Sequence, residues 1–127
     1  MSDRVLDVEN LTVDIPLATG ILHAVDSVNL HVDRGETLFI VGESGCGKSL
    51  TSLAFMDLLP TKANRKIEKL ELNGASILCY SERQKSDVRG NKMGMIFPEP
   101  MKRLNTVFSI GHQMREKLFR PFTLCTA

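Results

Sequence analysis

The sequence predicts an α/β fold, and three observations carry that expectation. Residues 39–52, FIVGESGCGKSLTS, contain a glycine-rich loop closed by a lysine and a hydroxyl residue. A short unbroken apolar run, TLFIV (37–41), precedes it and apolar residues at helical spacing follow it, which is the strand–loop–helix order that such a loop requires. Ahead of both lie two stretches that alternate apolar and polar residues, as half-buried antiparallel strands do.

The first strand is expected over residues 5–15. Leu6 and Val8 share one phase of the alternation and Leu11, Val13 and Ile15 the other, so a bulge or bend is expected near Asn10. PLATG (16–20) reads as a turn, and Val28, Leu30 and Val32 then alternate with Asn29, His31 and Asp33 up to a DRG turn. TLFIV has the continuous apolar character of a strand buried on both faces. After the loop, Leu50, Leu53, Ala54 and Leu58 predict a helix stopped by Pro60. KIEKLELNGAS (66–76) reads as a strand with a tight reversal at Asn73-Gly74. Ser81 with Gln84 makes a capping-box pattern for a short polar helix, with Gly90 as its stop. MGMIF (93–97) is a second buried-strand candidate. Ser109 is placed to cap a last helix in which Ile110, Met114 and Leu118 stack at i, i+4 until Pro121 ends it.

A chain of 127 residues with 43% hydrophobic and 24% charged residues fits one soluble globular domain with a modest core. No apolar run approaches the roughly 20 residues that span a bilayer, and MSDRVLDVEN lacks the character of an export signal, so a cytosolic location is expected. Cys46, Cys79 and Cys125 are odd in number and unpaired in spacing, which argues for reduced thiols and against a disulfide framework or a zinc site. His23, His31 and His112 are scattered, and no nucleophile motif is present. Residues 1–60 carry a net −6 and residues 61–127 a net +7, which together give the overall +1. The basic half lacks the aromatic interleaving of a nucleic-acid platform; its charges read as solvated faces, and no nucleic-acid partner is expected.

GESGCGKS satisfies G-x-x-x-x-G-K-S/T over Gly42, Glu43, Ser44, Gly45, Cys46, Gly47, Lys48 and Ser49. Gly42, Gly45 and Gly47 permit positive φ and close approach, so that successive N–H groups can turn inward around anionic oxygens. The loop enters a helix, whose free N–H groups and positive dipole end favour a phosphate. Lys48 would reach the β and γ phosphates, and the Ser49 hydroxyl would ligate Mg2+. Cys46 reads as a small side chain at a variable loop position rather than as a redox thiol.

Three blocks in order, LDVENLTVDI, LHAVDSVNLHVDRGETLFIVGESGCGKSLTSLAFMDLLP and MIFPEPMKRLNTVFSIGHQM, make the chain resemble the N-terminal half of an ABC-transporter ATP-binding subunit of the dipeptide and oligopeptide import type. The resemblance covers residues 4–118 as a partial ATP-binding domain and leaves 119–127 as a tail without likeness to the family. It implies a P-loop NTPase fold with an antiparallel β-subdomain and the start of a helical subdomain. ATP and Mg2+ are the implied ligands. The implied partners are transmembrane permease subunits, a second ATP-binding subunit and a solute-binding protein upstream, with the chain peripheral on the cytoplasmic face of the inner membrane.

Departures from the family pattern bear on activity. Residues 97–105 correspond to the Q-loop, but Pro98 stands where the family has the glutamine that helps bind Mg2+ and relays nucleotide state; proline has neither a side-chain amide nor an N–H. Lys102, Arg103 and Thr106 replace the usual Thr, Ser and Pro, and Ile15 stands where an aromatic ring commonly meets adenine. The signature LSGGQ, the Walker B strand with its following glutamate and the switch histidine have no counterpart in these 127 residues, so no catalytic residue is assigned. The resemblance therefore implies a chain that binds nucleotide at best, in which TLFIV faces water for want of parallel neighbours and promotes aggregation or partial disorder. The alternative is a non-catalytic interaction module of a transporter complex. A small-molecule kinase ranks third, because the remainder shows neither an acceptor-site base nor an Arg-rich lid.

Overall fold

The computed structural model describes residues 3–97, 99 and 104–123, with side chains to Leu118. These fall into two compact units, residues 1–85 and 86–127.

The first unit is built on a long hairpin. Strand β1 (Arg4–Leu17) pairs antiparallel with β2 (Gly20–Asp33), and Leu17 lies opposite Gly20 across a two-residue turn. Both strands exceed the sequence expectation; in particular β2 begins at Gly20, because cross-strand pairing with Val13–Leu17 recruits residues 20–27, whose own alternation is weak. The expected bulge is present. Asn10 has φ 52 and the register slips between Val8 and Leu11, with the Asn10 N–H held by Asn29 Oδ1 at 2.6 Å. That extra residue lets Val8, Leu11 and Val13, which straddle a change of phase, all face the core. A compensating slip in β2 centres on Ser27 (φ 48), whose N–H bonds Thr12 Oγ1 at 3.2 Å.

On its other edge β1 pairs with β3 (Asn64–Lys66) through Thr12–Asp14 and with β4 (Lys69–Leu72) through Leu6–Glu9. Strand β4 returns as β5 (Ala75–Ser76) through Asn73 (φ 51) and Gly74 (φ 76), the two successive left-handed residues of the turn that Asn-Gly favours. The sheet order is β2-β1-β4-β5, with β3 beside β1. One face is apolar: Val8, Leu11, Val13, Val25, Leu70 and Leu72 are buried.

The other face is charged, and two of its carboxylates are buried. Asp7 accepts from Lys69 Nζ at 2.8 Å and Arg4 Nη1 at 2.9 Å, and these two bonds, Lys69 first, hold its carboxyl below the usual carboxylate range. Asp14 is held low chiefly by its 2.7 Å bond to His23 Nδ1, with Lys66 at 3.5 Å adding to it. These are charges that burial tolerates only because they are paired.

Helix α1 (Lys48–Phe55) follows the glycine loop and buries Thr51, Ala54 and Phe55. It is shorter than expected: Leu58 lies outside it and is exposed, because the chain turns left-handed at Asp57 (φ 55). The expected strand at 37–41 is absent. The segment forms no strand and pairs with none among the described residues, and Phe39 and Val41 are 80% and 87% exposed. Its apolar composition records what a strand there would bury, whereas a strand forms only against a neighbour.

Helix α2 (Glu82–Asp87) begins with the expected capping box: Ser81 N–H donates to Gln84 Oε1 at 2.9 Å and Gln84 N–H to Ser81 Oγ at 3.4 Å. Gly90 does not stop it; the chain continues as a π-turn over Val88–Lys92, closed by Met93 N–H to Val88 O at 2.8 Å. Residues 93–97 are not a strand, and Ile96 is exposed. Helix α3 (Ile110–Thr123) is capped by Ser109 Oγ, which accepts from His112 N–H at 3.3 Å. It runs through Pro121 instead of ending there. Ile110, Met114 and Leu118 form the expected stripe, and all three are exposed. Pro98, Lys102, Arg103 and Cys125, singled out in the sequence, lie outside the described residues.

Candidate functional site

The glycine loop lies between the apolar segment 37–41 and α1. Of its three glycines, Gly45 and Gly47 have positive φ and Gly42 does not. Gly47 is the residue on which the geometry turns. It is the N-cap of α1 at φ 91, and a Cβ there would lie 2.5 Å from the Ala24 carbonyl oxygen of β2. The loop is thus seated backbone to backbone against the hairpin, a contact that no side chain would permit.

Gly47 O accepts from both Thr51 N–H and Thr51 Oγ1 at 2.9 Å, which fastens the first turn of α1. With no side chain at the N-cap, the N–H groups of Lys48, Ser49 and Leu50 have no intrahelical acceptor, and no acidic residue occupies the first turn. An anion at this end would meet free donors and the positive end of the helix dipole.

Lys48 folds back over the loop. Its Nζ donates to Gly42 O at 2.7 Å and Glu43 O at 2.5 Å and lies 3.3 Å from Cys46 Sγ, while Cys46 N–H closes a turn on Glu43 O at 3.3 Å. The ammonium therefore draws together the start and the end of the loop. Ser44 and Ser49 are exposed beside it. A cleft of about 260 Å3 opens alongside Lys48, with Val25, Val28, Leu30 and Ile40 among its lining. Ile15, expected near a purine, lies in β1 opposite Leu22. Cys46 and Cys79 are free and exposed.

Among the described residues no group of three or more His, Cys, Asp or Glu could hold a metal ion. The donor chemistry present, one exposed serine hydroxyl on the first turn of a helix next to the loop, suits a single ligand of a Mg2+ whose other oxygens come from phosphate and water.

Two features escaped the sequence reading. The approach of Gly47 to Ala24 depends on residues 23 positions apart and has no local signature. A cluster of Asp57, Arg65 and Lys85 at the far end of α1 was also missed; its one local clue is an aspartate, instead of glycine, just past the last helical residues.

A glycine loop of this spacing, running into a helix whose lysine turns back over it, defines a phosphate-loop NTPase. The family model described as ABC transporter matches residues 25–118. The chain belongs to the ABC transporter family. It is 42% identical over 118 residues to the oligopeptide transport ATP-binding protein OppD of Bacillus subtilis, covering 92% of this chain and 33% of that protein. It is 40% identical over 119 residues to the dipeptide transport ATP-binding protein DppD of the same organism, and 40% over 117 residues to the probable D,D-dipeptide transport ATP-binding protein DdpD of Escherichia coli. Those two alignments cover 93% and 91% of this chain and 36% of each relative. The chain spans about a third of the length of the curated relatives it matches. Among the described residues no helix is long and apolar enough to cross a membrane.

Proposed function

We propose that residues Gly42–Ser49 bind the phosphates of ATP and that the chain is the nucleotide-binding part of an ATP-binding subunit of a peptide importer. The observation that carries this reading is the seating of Gly47 against Ala24 at the start of α1, whose first-turn N–H groups have no intrahelical acceptor. In it, Glu43, Ser44, Gly45, Cys46 and Gly47 contribute main-chain donors, that of Cys46 by giving up its 3.3 Å bond to Glu43 O. Lys48, which the loop carbonyls already hold at its mouth, offers its charge to the β and γ phosphates. Ser49 supplies one oxygen to Mg2+, and the ion when bound neutralises phosphate charge. The names of the relatives support peptides as the cargo of the transporter. Permease subunits, a second ATP-binding subunit and a solute-binding protein are the partners this reading implies, at the cytoplasmic face of the inner membrane. No residue of the chain is assigned to hydrolysis.

The test is a thermal melt with and without Mg2+-ATP, beside Lys48→Ala. At a concentration 100 times its dissociation constant, the nucleotide adds about 2.7 kcal/mol to the folded state. A shift that disappears in Lys48→Ala supports the reading, and a cooperative melt with no shift overturns it.

A non-catalytic interaction module is the second reading, favoured by the exposed stripe of Ile110, Met114 and Leu118 on α3. Capture of permease subunits that is unaffected by Lys48→Ala but lost in Met114→Glu would favour it.

A further inference from the structure

We infer that Asp57, Arg65 and Lys85 form a clamp on the far end of α1 that sets the position of the phosphate loop at its near end, which makes Arg65 a positioning residue for nucleotide binding. The inference rests on the functional reading above. Helix α1 is eight residues, about 12 Å, long, so the angle of its axis decides where its first-turn N–H groups point. One end is held by the contact of Gly47 with Ala24.

The other end closes as a Schellman motif: Leu58 N–H donates to Leu53 O at 2.9 Å and Asp57 N–H to Ala54 O at 3.3 Å. The left-handed residue of such a motif is ordinarily glycine, yet here it is Asp57 at φ 55, a conformation that strains any residue with a Cβ. Its carboxylate is in use. Lys85 Nζ lies 2.6 Å and Arg65 Nη2 3.3 Å from it, while Arg65 Nη1 donates to Ala54 O at 2.6 Å. The guanidinium thus binds both the helix end and the aspartate beyond it, and its charge opposes the negative end of the helix dipole.

The two anchors share one row of the sheet. Val13 of β1 lies opposite Val25 of β2, next to Ala24, and also opposite Arg65 of β3. Two strand spacings, about 9.6 Å, separate β2 from β3, close to the length of α1. The helix is therefore a strut laid across the row Val25–Val13–Arg65 and pinned at both ends. With Arg65 gone, the far end loses its hydrogen bond and its ion pair to β3.

Two variants of the full chain test this: Arg65→Gln, and Asp57→Gly, which removes both ion pairs of the clamp, leaves the Arg65 bond to Ala54 O and relieves the left-handed strain. Both are expected to weaken Mg2+-ATP binding about three- to tenfold. Amide exchange over Lys48–Phe55 is expected to quicken while that of β1 and β2 is unchanged. Asp57→Gly is expected to keep or raise the melting temperature of the unliganded chain. Unchanged affinity and unchanged exchange in Arg65→Gln overturn the inference. So does a fall in affinity that tracks a uniform rise in exchange across the chain, the signature of a merely structural role. If the unmutated chain does not bind Mg2+-ATP, the functional reading fails, and exchange decides the clamp alone: quickening confined to Lys48–Phe55 supports it and no change overturns it.

Discussion

At the scale of single residues, the loop separates two glycines that the motif treats alike. Gly47→Ala would force a Cβ into the Ala24 carbonyl at positive φ, and neither backbone can yield without disturbing the hairpin. A loss of at least 1–2 kcal/mol, roughly the left-handed penalty alone, is expected in denaturant unfolding, together with loss of Mg2+-ATP binding. Gly42→Ala would meet Cys46 Sγ instead, the tip of an exposed side chain that can rotate away, so its unfolding midpoint should stay close to that of the parent. Asp7 and Asp14 make a second prediction. A carboxylate whose folded pKa is lowered takes up protons less readily than in the unfolded chain. Its contribution is complete above the ordinary value near pH 4 and is lost as pH falls through the lowered one. Asp7→Asn should therefore be less stable than the parent at pH 7 and lose less further stability below about pH 4, measured by unfolding at a series of pH values. The ion partners of Asp7 show why such sites are hard to read from a sequence: Arg4 is three residues away but Lys69 is 62 away.

At the scale of elements, what could be read from the sequence was whatever is decided locally. The bulge at Asn10 follows from a phase change within eleven residues, the reversal at Asn73-Gly74 from turn chemistry, and the start of α2 from the reciprocal bonds of Ser81 and Gln84. What misled was pattern that depends on distant chain. Residues 37–41 and 93–97 carry the composition of buried strands, yet neither forms a strand among the described residues, and α1 ends early where Asp57 turns left-handed beside Arg65 and Lys85. The phosphate loop was legible as a motif, but its seating on β2 was not. This contrast gives a third prediction. Phe39→Ser and Val41→Ser should leave the unfolding free energy of the chain within about 0.5 kcal/mol of the parent, as exposed substitutions do. Leu11→Ala, at a fully buried position, should cost about 2–5 kcal/mol. The two serine variants should also scatter less light at a given concentration.

At the scale of the whole molecule, the chain spans about a third of the length of its relatives, and among the described residues its exposed apolar side chains include the run Leu38–Val41 and the stripe of α3. Concentration-dependent association is the expected behaviour of the isolated chain. Sedimentation velocity checks it: a distribution that shifts to larger species with loading concentration, and less so for Phe39→Ser with Val41→Ser, is the expected result.

The bulge in β1 also bears on how this strand can change length over generations. Because Asn10 is a supernumerary residue between Val8 and Leu11, its deletion would leave Val8, Leu11 and Val13 on the same side of a straighter strand. Losing Thr12 would instead turn the remainder over, presenting Asp14 to the oily side beneath α1 and Val13 to solvent. Asn10 is thus an expansion joint, the place where a one-codon loss can pass through the strand without inverting it.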